Sequence, residues 1–250
     1  MNFIKKLIRK LILLSTCNRI PLRPPAKRVA TKIPQRAHFV FGLWSDDPLP
    51  PEFQQTIERW QQQGWEVKLW GRSEVDALIS KYPEVEAVYR QVPRDVQRAD
   101  IARYVIVWEH GGFYMDCDAG PIHFSLLNFL QKKKEAEAVY FVEEVLAQKW
   151  IDWRSQHHMR QHIPEKHPEK ICNYLFGSVA GHAVIRACLD EALRRCNLFA
   201  GQDIDDLGVL TTTGPEVTTD VVQSRRGEVV VRHSRYFCDH GRTGTWRNES

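Results

Sequence analysis

The stretch that most constrains this chain runs from Arg98 to Pro121, R-A-D-I-A-R-Y-V-I-V-W-E-H-G-G-F-Y-M-D-C-D-A-G-P. Ile101, Tyr104, Val105 and Trp108 are spaced for one face of a helix, and Gly111-Gly112 stop it. The residues after the glycines read as a strand, whose alternation sends Phe113, Met115 and Cys117 to one side and Tyr114, Asp116 and Asp118 to the other. Two carboxylates therefore emerge together at a strand end. On the helix, Asp100 and Arg103 are three residues apart, lie on one face and can address one ligand.

Two Asp separated by one residue make a hard-oxygen site suited to Mg²⁺ or Mn²⁺, ions that take a few carboxylates together with phosphate oxygens and water. Such a site suits a diphosphate. Asp-x-Asp is also common in surface turns, and here its place after an apolar helix, a double glycine and a strand favours the metal reading.

The preceding segment supplies the frame. His38 to Leu43 reads as a buried strand, and Pro50-Pro51 open an amphipathic helix through Phe53, Ile57 and Trp60 that ends at Gly64. Trp65, Val67 and Leu69 alternate with Glu66 and Lys68 in a second strand, after which Ser73 is expected to cap a further helix. This order predicts an α/β domain with a mostly parallel sheet, whose ligands bind beyond the carboxyl ends of the strands at a topological switch point. Trp60 and Trp65 are expected in the core.

Further along, Ala138 to Val142 is an apolar strand ending at Glu143-Glu144, where a carboxylate can contact an acceptor or brace the site. Residues 148–170 are rich in Trp, His and charge without core periodicity, and read as an exposed insertion. Its Trp150 and Trp153 suit a platform for sugar faces, whereas its His157, His158, His162 and His167 lack the partners of a transition-metal site. Asn173 to Ala180 is a strand in which Gly177 and Ser178 allow close approach of a ligand. Thr211-Thr212-Thr213-Gly214-Pro215 opens a helix whose hydroxyls and N–H groups favour anions.

The net charge of +4 hides an asymmetry: residues 1–36 hold ten Lys and Arg and no acid, and the remainder holds 25 basic and 31 acidic residues. Residues 1–17 place Phe3, Ile4, Leu7, Ile8, Leu11 and Ile12 opposite Lys5, Lys6, Arg9 and Lys10, the pattern of a helix lying on an anionic bilayer. A secretory signal or a basic tail are the competing readings. No apolar run there approaches the ~20 residues of a membrane span, and 18–36 reads as a Pro-rich linker. The body lacks a basic stripe, so nucleic acid is not expected as a partner. Six cysteines without C-x-x-C spacing look like reduced thiols of a cytoplasmic protein, and with the basic leader the expected location is peripheral, on the inner face of the cytoplasmic membrane.

D-x-x-R followed by G-G-x-Y-x-D-x-D resembles the sugar-binding region of the DXD glycosyltransferases, the capsular polysaccharide and initiating mannosyltransferase group to which the glucosylating toxins are related. The resemblance implies a GT-A fold over residues 37–250 and a nucleoside diphosphate sugar donor. It also implies an oligosaccharide or lipid-linked acceptor in surface polysaccharide or lipopolysaccharide synthesis, and transfer with retention. It assigns the metal mainly to Asp118 with help from Asp116, and the sugar hydroxyls to Asp100 and Arg103. Phe39, Val40, Phe41, Gly42 and Trp44 are expected on the wall beside the base, and Tyr114, Asn173 and Gly214 are expected to line the donor site. His240 and Trp246, in a lid over 233–250, are expected to close over the diphosphate. The rival readings are a sugar nucleotidyltransferase, which lacks its expected Gly-rich basic loop, and a catalytically silent glycan-binding or membrane-scaffolding protein.

Overall fold

The structure is a computed structural model that describes residues 30–122, 124–163 and 167–241. The expected membrane-surface helix and Trp246 lie outside the described residues. Strand β1 (Arg36–Val40) is followed by helix α1 (Pro51–Gln62) and strand β2 (Glu66–Trp70). Helices α2 (Arg72–Ile79), α3 (Pro83–Gln91) and α4 (Asp95–His110) then lead into β3 (Gly112–Met115) and β4 (Ala119–Pro121). Beyond them come α5 (Leu126–Lys132), β5 (Ala138–Val145), α6 (Gln148–Ser155), β6 (Glu169–Ser178), α7 (Ala183–Leu198), α8 (Asp206–Thr212), α9 (Pro215–Ser224), β7 (Val230–His233) and β8 (Cys238–His240).

The main sheet has the order β2-β1-β3-β6-β5-β7. Its β1–β2, β1–β3 and β5–β7 pairs are parallel, and β6 runs antiparallel to both neighbours. Five strands therefore share one direction, as the βαβ reading requires. From β1 the chain crosses to β2 on one side and then returns to β3 on the other, which makes the carboxyl ends of β1 and β3 a switch point. One apolar cluster, including Val75, Ile101, Tyr104, Tyr140, Phe176 and Leu189, packs the helices on one face. The other face is covered by Trp60, Trp65, Leu126, Leu130 and Phe237 over Phe39, Phe113 and Phe141.

Helix α4 departs from the amphipathic expectation. It is buried along nearly its whole length from Val96 to Val107, including Gln97, Asp100 and Arg103. A helix wrapped on all sides is a core element rather than a surface one, so any charged group on it must find partners inside the protein. Gly111 and Gly112 end it with φ of 63° and 95°. A side chain at Gly111 would press 2.8 Å from the Ala180 nitrogen, and one at Gly112 would press 2.7 Å from the Arg36 carbonyl. The double glycine is thus demanded by both backbone conformation and space.

Three local expectations are corrected. Helix α2 is capped by Gly71, whose N–H donates to the Glu74 carboxylate at 3.2 Å, and Ser73 lies within the helix. The packed body begins before residue 37, because Ile33 is fully buried. Residues 148–163 are not simply an exposed loop: Ile151, Met159 and Ile163 are buried, the last two in a cluster with Val96, Phe199, Ile204 and Val209. The buried Arg160 pairs with the buried Glu216 of α9, and Arg154 lies 3.4 Å from the same carboxylate. No helix among the described residues is long and apolar enough to cross a membrane.

Candidate metal and sugar-binding centre

The chain leaves β3 and turns at once. The Asp116 N–H continues the ladder to the Tyr174 carbonyl at 3.0 Å, and the Ala119 N–H closes a turn on the Asp116 carbonyl at 2.9 Å. Asp116 and Asp118 emerge from that turn while Cys117 faces the core, as the alternation predicted. Burial pushes the Cys117 thiol up, which leaves it a poor nucleophile.

Strand β8 then brings in a third group. It pairs antiparallel with β4, setting Ala119 opposite His240. The His240 Nε2 lies 3.2 Å from Asp118 and 3.6 Å from Asp116. One ligand atom from each of Asp116, Asp118 and His240 falls within 4.8 Å of the others, the one such group among the described residues. Tyr174 stacks on the imidazole, with centroids 4.1 Å apart and planes within 8°, and donates through its hydroxyl to Ser234 at 2.9 Å.

The electrostatics of this cluster fit a cation. Burial disfavours the imidazolium of His240, but hydrogen bonds to Asp116 and Asp118 outweigh it and raise the group to about 9. The imidazolium thus supplies the positive charge that two adjacent carboxylates require. A divalent cation would take over that role, with the two carboxylates as the hard oxygen donors that Mg²⁺ and Mn²⁺ take and the imidazole able to bind once its proton has left. The residues present therefore fit the divalent ion that the Asp-x-Asp implied.

Behind the carboxylates sits a buried brace. Arg103 lies 3.0 Å from Asp100 and 3.5 Å from Asp116, donates to the Asn173 carbonyl at 2.9 Å, and packs 4.6 Å from the centre of the Tyr114 ring. The Tyr114 hydroxyl donates to Asp116 at 2.7 Å. Asp100 accepts from the Asn173 amide at 3.0 Å and from the Thr213 hydroxyl at 2.8 Å. Burial pushes the Asp116 carboxyl up, yet Arg103, His240 and Tyr114 outweigh it and hold it down at about 2. Asp100, Arg103, Tyr114, Asp116 and Asn173 are thus brought together in one buried network, joined by Thr213, for which only its place in a hydroxyl run gave a signal. Tyr174 carried no such signal.

Other expected donor-site residues fall differently. Phe39 is fully buried among Trp60, Trp65 and Phe113, so its side chain is core and not a wall of the base site. Val40 packs partly buried against the helical face, whereas Trp44 is 44% exposed beyond β1. A cleft of about 590 Å³ opens at the carboxyl ends of β1 and β2, lined by Phe41, Gly42, Ser45, Asp46, Arg72 and Ser73 among others. Gly214 does not offer a free N–H, because it donates to the Val209 carbonyl at 3.1 Å. The hydroxyls of Thr211, Thr212 and Thr213 are committed inside the protein, and the carboxylate near the start of α9 is its own Glu216. Of the threonine run only Thr213 reaches the centre, on Asp100, while Thr211 donates to Glu216 and Thr212 to the Gly208 carbonyl. Glu143 is held by Lys170 at 3.2 Å.

Residues 50–135 match the family described as the glycosyltransferase sugar-binding region containing DXD motif. Over that stretch the chain is similar to the sugar-binding region of the DXD glycosyltransferases. It is 23% identical over 246 residues to HOC1 of Saccharomyces cerevisiae, a protein provisionally named a glycosyltransferase, covering 88% of this chain and 57% of that protein. It is 32% identical over 95 residues to inositol phosphoceramide mannosyltransferase 1 of Schizosaccharomyces pombe, covering 36% of this chain and 29% of that protein. The chain thus spans little more than half of the first relative and less than a third of the second. Among solved structures, the PaToxG glycosyltransferase aligns with a TM-score of 0.49 at 14% identity, covering 77% of this chain and 70% of that one. Within the matched sugar-binding region lie α4, its Asp100 and Arg103, and the Asp-x-Asp turn; His240 and Asn173 reach the centre from outside it.

Proposed function

We propose that this protein is a metal-dependent glycosyltransferase that moves a sugar from a nucleoside diphosphate donor to a glycan or lipid-linked acceptor. The observation that carries this reading is the convergence of His240 on Asp116 and Asp118 at the switch point of a mostly parallel sheet, the two carboxylates lying inside the matched sugar-binding region.

Asp116, Asp118 and His240 would hold Mn²⁺ or Mg²⁺. A divalent ion bound there supplies Lewis-acid stabilisation of the charge on the leaving diphosphate. Arg103 and Tyr114 keep Asp116 ionised and fixed in direction, so the carboxylate is ready without reorganisation. Asp100 and Asn173 hold Arg103 in turn, and any sugar hydroxyl that they orient is met by groups already locked into the α4–β6 contact. Phe41 and Gly42, which line the cleft beyond β1 and β2, and the exposed Trp44 suit the nucleoside end of the donor.

Retention of configuration and a role in surface polysaccharide synthesis follow from the family resemblance and belong to the same proposal. A lipid-linked acceptor is supported by a relative named for inositol phosphoceramide and by the basic amphipathic leader, which suits peripheral attachment to the inner face of the cytoplasmic membrane.

The test is a panel of nucleoside diphosphate sugars with Mn²⁺, following release of the free nucleoside diphosphate. Release from one donor, abolished by chelator and by Asp118→Ala, is expected. Absence of both turnover and donor binding across the panel would favour a silent glycan-binding module.

A further inference from the structure

Strands β4 and β8 carry the metal-site residues at one end, and at the other they carry something that sugar transfer does not use. The ladder runs from the Gly241 N–H on the Asp118 carbonyl, through the β4–β8 pairs, to the N–H groups of Ile122 and Phe124 on the carbonyls of Phe237 and Tyr236. At that far end Phe124 is 58% and Tyr236 42% exposed, their rings edge to face at 6.0 Å. Large aromatic rings left half in water need a reason, and here their surroundings are cationic.

Arg235 lies over the Tyr236 ring at 5.0 Å, and Arg232 lies over Phe129 at 5.7 Å. Phe129 belongs to α5, which ends in the exposed run Lys132, Lys133, Lys134. Of the acids in these segments, Glu135 and Glu137 are engaged by Lys32, and Asp239 is exposed. The surface is therefore aromatic and net basic.

The chain outside the described residues arrives at this same surface. Lys32 donates its N–H to the Lys134 carbonyl at 3.0 Å, so residues 1–29 join the body beside the α5 lysines. Those residues belong to the leader that holds ten Lys and Arg and no acid up to residue 36. A cationic leader sequence and a cationic, aromatic patch near its point of attachment have a common complement, an anionic bilayer, where aromatic rings settle at the headgroup level and cations gain about 1 kcal/mol each.

We infer that Phe124 and Tyr236, flanked by Arg232, Arg235 and Lys132 to Lys134, form a second membrane-contact surface in the folded body, with an anionic lipid bilayer as its partner. The inference does not depend on the sugar-transfer reading. Six residues of extended chain separate Asp118 from Phe124, at most about 20 Å. The contact would hold the Asp116–Asp118–His240 centre within that distance of the lipid headgroups.

The test is co-sedimentation of the full chain with vesicles of equal phosphatidylglycerol and phosphatidylcholine, beside vesicles of phosphatidylcholine alone. Each comparison is made with the native leader and with Lys5, Lys6, Arg9 and Lys10 all changed to Gln, so that the leader does not mask the patch. Phe124→Ala with Tyr236→Ala is expected to weaken partitioning on the order of tenfold. Arg232→Gln with Arg235→Gln should cost roughly fivefold per cation, on anionic vesicles only. Trp150→Ala with Trp153→Ala, an exposed aromatic pair elsewhere, should change nothing. Thermal unfolding identifies any variant that fails to fold, and the arginine pair then decides alone. Partitioning unchanged in both patch variants overturns the inference. So does a loss of self-association in sedimentation velocity without vesicles, which would make the patch an interface between proteins.

Discussion

Arg103 is the cation on which the buried brace depends, and its removal gives the sharpest prediction. In Arg103→Met the side chain keeps much of its bulk, but Asp100 and Asp116 lose a guanidinium at 3.0 and 3.5 Å, and the Asn173 carbonyl loses a donor at 2.9 Å. Arg103 is 6% and Asp100 3% exposed, so solvent cannot replace what is lost. Breaking a buried pair from one side costs about 3–5 kcal/mol because a charge is left uncompensated. That is a large part of the roughly 5–15 kcal/mol by which a domain is stable. Urea unfolding followed by tryptophan fluorescence should show a loss in this range at neutral pH. Asp100→Asn with Arg103→Met should recover part of it, since one of the stranded charges is gone. A loss below about 1 kcal/mol, the range of surface pairs, would refute the claim that the brace is dry and tightly coupled.

Other outcomes follow from separate parts of the fold. His38 is fully buried, its Nε2 on the Gly111 carbonyl at 2.8 Å and its Nδ1 accepting from the Trp70 indole at 3.0 Å, so the neutral ring is the bound form. Burial lowers it from 6.5 to about 4. Its contribution is therefore present above 6.5 and lost as pH falls toward 4, about 3 kcal/mol in all, and a His38→Gln variant should show a shallower fall in unfolding free energy over that window. Gly177→Ala should cost about 1–3 kcal/mol in the same assay, because its Cβ would lie 2.5 Å from the Phe113 ring. Arg160→Met should leave Glu216 with Arg154 as its remaining arginine and loosen residues 148–163 against α9; limited proteolysis should then cut that segment faster than in the native protein.

Much of this was readable because it is local. The β1–α1–β2 unit, the Gly111-Gly112 stop and the paired carboxylates are each set by neighbours in sequence, and periodicity exposes them. His240 was legible only as a residue expected near the diphosphate. Its place beside Asp116 and Asp118 depends on β8 pairing with β4 across more than a hundred residues, which no local pattern encodes. The same holds for Thr213 on Asp100. The 148–163 segment misled for a different reason: its anchors Ile151, Met159 and Ile163 are scattered among charged residues, and Arg160 reads as surface until Glu216 is seen beside it. Phe39 shows the limit of carrying a role across a resemblance, since alternation in β1 turns its ring into the core while the exposed aromatic is Trp44. The threonine run promised free donors because the sequence does not reveal that α8 and α9 consume them.

The central claim is that Asp116, Asp118 and His240 form one divalent-cation centre that receives a nucleoside diphosphate. Mn²⁺ titration by electron paramagnetic resonance, with nucleoside diphosphates present, tests it most directly. One Mn²⁺ bound per chain, tightened by a diphosphate and lost in Asp118→Ala, is the result predicted. Mn²⁺ binding that is absent with every nucleoside diphosphate, or indifferent to Asp118→Ala, would contradict it.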